Sequence, residues 1–319
     1  MLTHRGLLVH PYELDDHWLD TCASLHLNVL GLHPVGGKQA DQSLQALIDM
    51  RNNPDFKRLL DRAGTLGLSV EYEMHALSWL VPRSLFADHP DWFRMDESGT
   101  RIADFNMCPS NKAAMAYLAA RAEELARLLP AETHRYYFWI DDVTKSRCHC
   151  PACAALTASD QQLMIVHAIL EGVRRVDPQG SVPFLAYLDT LNAPTALKPK
   201  DGIFLEFAPI KRKPETPIND PDCPENAHEI ASMAELLATF GTKDSQVLEY
   251  WLDNSLYSRW TYPPKPFTAY DDVIAADVAY YRSLGFERIT TFACYLGQDY
   301  IKLHGEPDLA GYGKALSAE

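Results

Sequence analysis

Eight short β-rich runs, spread along the chain and ending in polar residues, constrain its fold more than any other feature. They are GLLVH (residues 6–10), NVLGLH (28–33), LSVEYEMH (68–75), YYFWIDD (136–142), VPFLAYLD (182–189), GIFLEF (202–207), QVLEYW (246–251) and ITTFACYLG (289–297). Most are followed by an amphipathic stretch at helical spacing. Examples are NKAAMAYLAARAEELARLL (111–129) and QQLMIVHAILEGVRRV (161–176), the second stopped by Asp-Pro-Gln-Gly. Nearly continuous apolar runs fit strands buried on both faces, as in a parallel sheet covered by helices. Eight such strands alternating with helices predict an α/β fold, a (β/α)8 TIM barrel. An open doubly wound sheet would place a glycine-rich phosphate turn after the first strand, and none follows GLLVH. A length of 319 residues suits one large barrel, and no repeat, linker or low-complexity tail divides it. A single domain over residues 1–319 is predicted.

Charge and motifs narrow the partners. The net charge of -14, with no basic face, argues against nucleic acid or an anionic membrane surface, both of which need clustered Lys and Arg. No apolar stretch approaches the ~20 residues of a membrane helix, and the opening residues do not read as a signal peptide. Gly-x-Gly fingerprints and Walker loops are absent, so no nucleotide cofactor is expected. Seven cysteines, three of them within six positions, do not form a secreted disulfide framework, and a reducing cytoplasm is expected.

Two inserts, residues 76–110 and 209–228, are placed to lie over the C-terminal mouth of the barrel, where this fold carries its active sites. Alternation along LSVEYEMH puts Glu71, Glu73 and His75 on one face and Val70, Tyr72 and Met74 on the other. The apolar set should face the helices, which turns the acids and His75 into the barrel. Glu71 is expected to pair with an Arg or Lys in the core, whereas Glu73 and His75 are expected to contact substrate. The other strand ends contribute His10, His33, Tyr187, Asp189, Glu206, Glu249, Trp251 and Tyr295. Each alone reads as a cap or a core residue. Together, carboxylates, imidazoles and aromatics at one mouth are what a small sugar or oligosaccharide needs for its hydroxyls and C–H faces. Trp79, Trp251 and Tyr295 are the expected platforms.

Asp141 and Asp142 close the fourth run. Glycoside cleavage uses two carboxyl groups, one protonated and one ionised, and the end of strand four is a position from which they can act. From about residue 75 to 250 the chain resembles a bacterial family of glycoside-hydrolase-type barrels, domain of unknown function 4838. The resemblance lies in HALSWLVPRSLFADHPDWF, NMCPSN, the paired acids with CHCPAC, FLAYLDT and LEFAPIKR. That family is similar in fold to glycoside hydrolase families 20, 67 and 84. FWIDDV also resembles the adjacent aspartates of family 84. This implies Asp141 as the residue that orients an acetamido group and Asp142 as general acid/base. A family 67-like reading instead implies acids at Glu206 and Glu249 and a uronic-acid substrate. The resemblance therefore implies a glycosidase acting on an N-acetylated or acidic sugar.

Two other classes remain open on these residues. A metal-dependent sugar isomerase or epimerase would gather Glu73, His75, Glu206 and Glu249 round a divalent cation, and a carbohydrate-binding barrel would need no chemistry. Cys148, Cys150 and Cys153 form C-x-C-x-x-C, which can supply three ligands to a structural zinc. Cys108 is the expected fourth, because the loops after strands three and four are neighbours in a barrel. His149 and Cys223 are the other choices.

Overall fold

The β-rich runs become eight parallel strands. They are β1 (His4–Val9), β2 (Val29–Leu32), β3 (Ser69–His75), β4 (Tyr137–Trp139), β5 (Val182–Ala186), β6 (Ile203–Phe207), β7 (Gln246–Glu249) and β8 (Arg288–Phe292). The computed structural model describes residues 2–318. The strand order is β4-β3-β2-β1-β8-β7-β6-β5. The ring closes between β4 and β5, where Tyr136 N–H donates to Ser181 O at 2.9 Å and Ser181 N–H to His134 O at 2.8 Å. An α-helix follows every strand except β5, where the short 3-10 helix Leu188–Thr190 takes its place, and the ring is a (β/α)8 TIM barrel.

Several strands stop short of the sequence runs. β4 ends at Trp139 rather than residue 142, and β7 at Glu249 rather than residue 251. The polar residues that follow leave the ladder and enter the mouth, so the runs are longer than the strands.

The two faces of the ring pack separately. Leu8, Tyr137, Trp139, Leu185, Phe204, Leu248 and Phe292 form one cluster inside the barrel, while alternate residues such as Leu7, Leu30, Met74, Phe184 and Val247 join the helices outside. Gly31 gives the inner layer room, since a Cβ there would lie 2.4 Å from Leu8 Cγ. Deeper in the barrel the filling is polar. Glu71 accepts from Tyr137 Oη at 2.8 Å and lies 3.9 Å from Arg135 Nε, the expected pairing with a core cation. Gln246 Nε2 donates to Glu206 Oε1 at 3.2 Å.

Helix starts follow their capping residues. Asn111 accepts from Ala114 N–H ahead of the helix Lys112–Leu128, and Thr157 with Asp160 forms a capping box ahead of Ala158–Arg174. These two helices approach so closely at Gly172 that a Cβ would lie 2.1 Å from Ala119 O. Among the described residues, no helix is long and apolar enough to cross a membrane.

Candidate active site

A cavity of about 520 Å³ opens at the C-terminal ends of the strands. Its floor is Trp139, Leu185, Leu248 and Phe292, and three histidines stand round one side of it. His10 and His33 each follow a strand by one residue and His75 ends β3, so β1, β2 and β3 deliver them in an arc. Ring centroids are 5.9 Å apart between His10 and His33 and 6.0 Å between His33 and His75. Each Nδ1 meets a carbonyl of the next strand segment: His10 at His33 O (2.7 Å), His33 at Glu73 O (2.8 Å), His75 at Ile140 O (2.6 Å). A carbonyl only accepts, so Nδ1 carries the proton in all three, and in the neutral ring Nε2 is left as an acceptor. Burial lowers the pKa of His10. It holds His33 well below the usual value, helped by its two histidine neighbours. These two rings are neutral at pH 7.

The adjacent aspartates diverge. Asp142 lines the cavity and its Oδ1 accepts from Tyr187 Oη at 2.8 Å. Asp141 turns away behind it, paired with Arg83, and its Oδ2 accepts from Asn106 N–H at 2.5 Å while its own N–H donates to Asn106 Oδ1 at 3.1 Å. The expected role of Asp141 beside substrate is therefore replaced by one in the loop, because its carboxylate is taken up by the 76–110 insert. A second acid reaches the cavity from β7. Asp253, 5% exposed, accepts from Ser255 N–H, Ser255 Oγ and Leu256 N–H, all through Oδ1. Oδ2 is thus the oxygen left for a ligand. Burial pushes its pKa up to about 6. β4 and β7 are three strands apart on the eight-strand ring, so Asp142 and Asp253 enter the mouth from opposing sides. Glu13, pushed up to about 7 by burial, accepts from His10 N–H at 3.2 Å and Tyr295 N–H at 2.8 Å and fixes the rim.

Aromatics complete that rim. Tyr295 packs on Tyr262 at 4.3 Å between centroids, Tyr12 stacks on His10 at 5.2 Å, and Trp260 is 61% exposed over the cavity. Leu188, Trp260 and Tyr295 all line the cavity with φ of 49°, 52° and 66°. Left-handed backbone at bulky residues is held against a local cost of order 1–3 kcal/mol, and such strain concentrates at ligand sites.

The other expected site residues lie elsewhere. Glu73 and Glu206 are fully buried and do not line the cavity. Trp139 Nε1 donates to Glu206 Oε2 at 2.7 Å, and burial with neighbouring carboxylates raises both acids, Glu206 to about 8 and Glu73 well above the carboxylate range. Glu249 and Trp251 have the outward parity of β7. Glu249 accepts from Arg212 Nη1 at 2.9 Å and Tyr281 Oη at 2.6 Å, and Trp251 Nε1 donates to Asp277 Oδ2 at 2.9 Å, all between sheet and helix. Trp79 is buried against Gln45 and the Arg121 guanidinium, so it is no platform. Asp189 accepts from the Lys145 N–H and braces the β4 loop. With Glu249 outside the barrel, the metal set Glu73, His75, Glu206 and Glu249 does not assemble, which removes the ligands of the isomerase reading. His10, Glu13 and Cys294 do come within metal-ligating reach of one another, but both Glu13 oxygens already accept backbone N–H groups. The four cysteines 108, 148, 150 and 153 form a separate buried cluster beside the β4 loop.

The family model described as "Domain of unknown function (DUF4838)" matches residues 39–295. The chain belongs to the DUF4838 family. No curated protein matches it. Solved structures share this DUF4838 chain's fold at low identity. The cold-adapted β-galactosidase of Rahnella sp. R3 is 13% identical with a TM-score of 0.53, covering 99% of this chain and 56% of that one. A structure described only as a glycoside hydrolase is 10% identical with a TM-score of 0.52, covering 92% and 88%. A mutant of the O-GlcNAc hydrolase of Thermobaculum terrenum is 10% identical with a TM-score of 0.50, covering 99% and 59%. The DUF4838 chain thus spans little more than half of the first and third.

Sequence reasoning missed Asp253, Trp260 and Lys211, which all line the cavity. The signal for Asp253 is an acid two residues beyond QVLEYW, hidden because that run reads as strand to its end. Trp260 and Tyr262 belong to a third mouth loop, residues 250–270, that no compositional shift marks.

Proposed function

We propose that this DUF4838 protein is a glycoside hydrolase whose two working carboxyl groups are Asp142 and Asp253. The observation that carries the reading is their entry into one aromatic- and histidine-lined cavity from β4 and β7. Asp253, whose proton is retained up to about pH 6, is the proton donor to the leaving oxygen. Asp142, oriented by Tyr187 Oη, is the ionised partner that meets the developing positive charge at the anomeric carbon, directly or through a water. The free Nε2 atoms of His10 and His33 accept from sugar hydroxyls, and Trp139 with Tyr295 offers aromatic surface to the ring. The substrate is a glycoside of an N-acetylated or acidic sugar. Lys211 on the rim supports the acidic choice, because it can pair with a uronate carboxylate.

A panel of aryl glycosides that includes N-acetylhexosaminides and glucuronides tests this. Wild type should release the phenol from at least one, and Asp142→Asn and Asp253→Asn should each lower kcat by about 10²-fold or more with unchanged circular dichroism. With Asp253 as the acid, kcat/KM should fall as pH rises above about 6. Near-normal turnover by either variant sinks its role. Sugar binding without hydrolysis of any glycoside would make the protein a carbohydrate-binding barrel.

A further inference from the structure

We propose that Cys108, Cys148, Cys150 and Cys153 hold a structural zinc ion that ties the 76–110 insert to the loop after β4, a reading independent of the hydrolytic one. Their four sulfurs all lie within 4.8 Å of one another. Cys108 Sγ is 3.7 Å from Cys150 Sγ and 4.0 Å from Cys153 Sγ. A tetrahedron with Zn–S bonds of about 2.3 Å has S···S edges of roughly 3.8 Å, whereas a disulfide bond is about 2.05 Å. The spacing is that of a ligand shell, and all seven cysteines are unbridged.

The surroundings fit a charged site better than four packed thiols. The cysteines are 0–4% exposed and form a cluster of their own, with Met95 the partly buried apolar side chain packed against it among the described residues. Two donors reach Cys148, Met95 N–H at 3.3 Å and Arg101 Nη1 at 3.7 Å, while Ser110 Oγ lies 3.2 Å from Cys108 Sγ and accepts from Cys153 Sγ at 3.3 Å. Four thiolates round Zn²⁺ keep a net charge of about −2, which N–H groups and a guanidinium offset. His149 and Cys223 are out of the set, since His149 faces Glu97 and Cys223 faces Glu225. With four sulfurs the shell is full and has no open position, so the metal is structural. Thiolate ligands in a tetrahedron select zinc, or iron as its rival.

The cluster braces the site from behind. Asn106, two residues before Cys108, exchanges two hydrogen bonds with Asp141 and donates to Ser146 Oγ at 2.6 Å, two residues before Cys148. A metal joining Cys108 to Cys148 therefore locks both ends of the bracket from which Asp142 projects.

Elemental analysis of untagged protein should find about one zinc per chain. Titration with a mercurial thiol reagent should release it to a chromogenic chelator in step with four thiols. Cobalt substituted into wild type should give the intense visible bands and sulfur-to-metal charge transfer of a tetrahedral four-thiolate site, a readout that needs no variant to fold. Cys108→Ser and Cys148→Ser should lose the zinc and melt at lower temperature, while Cys223→Ser keeps it. Metal-free protein with four freely reactive thiols, a disulfide within the cluster by mass spectrometry, or iron in place of zinc would overturn the proposal. Zinc present in a protein without glycosidase activity would uphold it.

Discussion

Asp253 carries the most informative chemistry of any single residue here. Its carboxyl is held at about 6 in the folded chain, against ~3.9 for an unperturbed Asp. Between those values the unfolded chain has released a proton that the folded chain keeps. Stability therefore falls as pH rises from about 4 to 6, and the penalty is complete above 6. Asp253→Asn cannot ionise and still caps the following turn. Its melting temperature should exceed that of wild type by more at pH 7.5 than at pH 4, even as activity is lost. A difference that does not change with pH would show that the buried charge is not what burial costs here. The same contrast separates the paired acids: Asp141 is spent on Arg83 and Asn106, and only Asp142 faces the cavity. Adjacent letters in the sequence cannot reveal that division, because it depends on which loop arrives behind each carboxylate.

Among the elements, legibility depended on how unevenly polarity falls along a strand. In β3 one parity is charged and the other apolar, so the inward set Glu71, Glu73 and His75 was readable. In β7 both parities mix, with Gln246, Leu248 and Tyr250 against Val247, Glu249 and Trp251. Arg212, arriving from an insert, and Asp277 and Tyr281, arriving from a helix, settle that Glu249 and Trp251 face outward. Helix packing makes its own prediction. Replacing a helix glycine by alanine ordinarily gains up to about 1 kcal/mol of helix propensity, and part of that in a last turn such as the one Gly172 occupies in Ala158–Arg174. At Gly172 the new Cβ would meet Ala119 O at 2.1 Å, and a neighbouring helix backbone cannot give way as a side chain can. Gly172→Ala should instead destabilise by about 1–3 kcal/mol in denaturant melts. A stabilised variant would mean the two helices can slide apart.

For the molecule as a whole, the closed ring makes one interior out of residues far apart in sequence. Arg135 ahead of β4 reaches Gln246 of β7 at 3.3 Å, packs over Phe204 of β6 at 3.6 Å and lies by Glu71 of β3. It is the cation among several buried carboxyl groups, and burial does not dislodge its proton. Arg135→Leu should cost about 3–5 kcal/mol, as expected when one partner of a buried charge pair is removed. A loss below about 1 kcal/mol would show that the interior carboxyls are neutral without it. The protein that stays folded should keep the wild-type KM, since Arg135 does not line the cavity.

The eight-strand count, the parallel barrel and the end at which the cavity opens follow from the amino-acid sequence, because apolar runs of strand length alternate with helical ones and polar residues gather at one end of each run. The nearness of Cys108 to the later cysteines was also legible, since barrel order alone makes the β3 and β4 loops neighbours. Tertiary structure alone decided which acids share the cavity. Asp253 reaches it from a loop that begins where β7 ends early, while Glu206 is sealed beneath Trp139 and Glu249 is claimed by Arg212. Side-chain direction at a strand end is set by what packs against it, and those partners lie dozens of residues away in the chain.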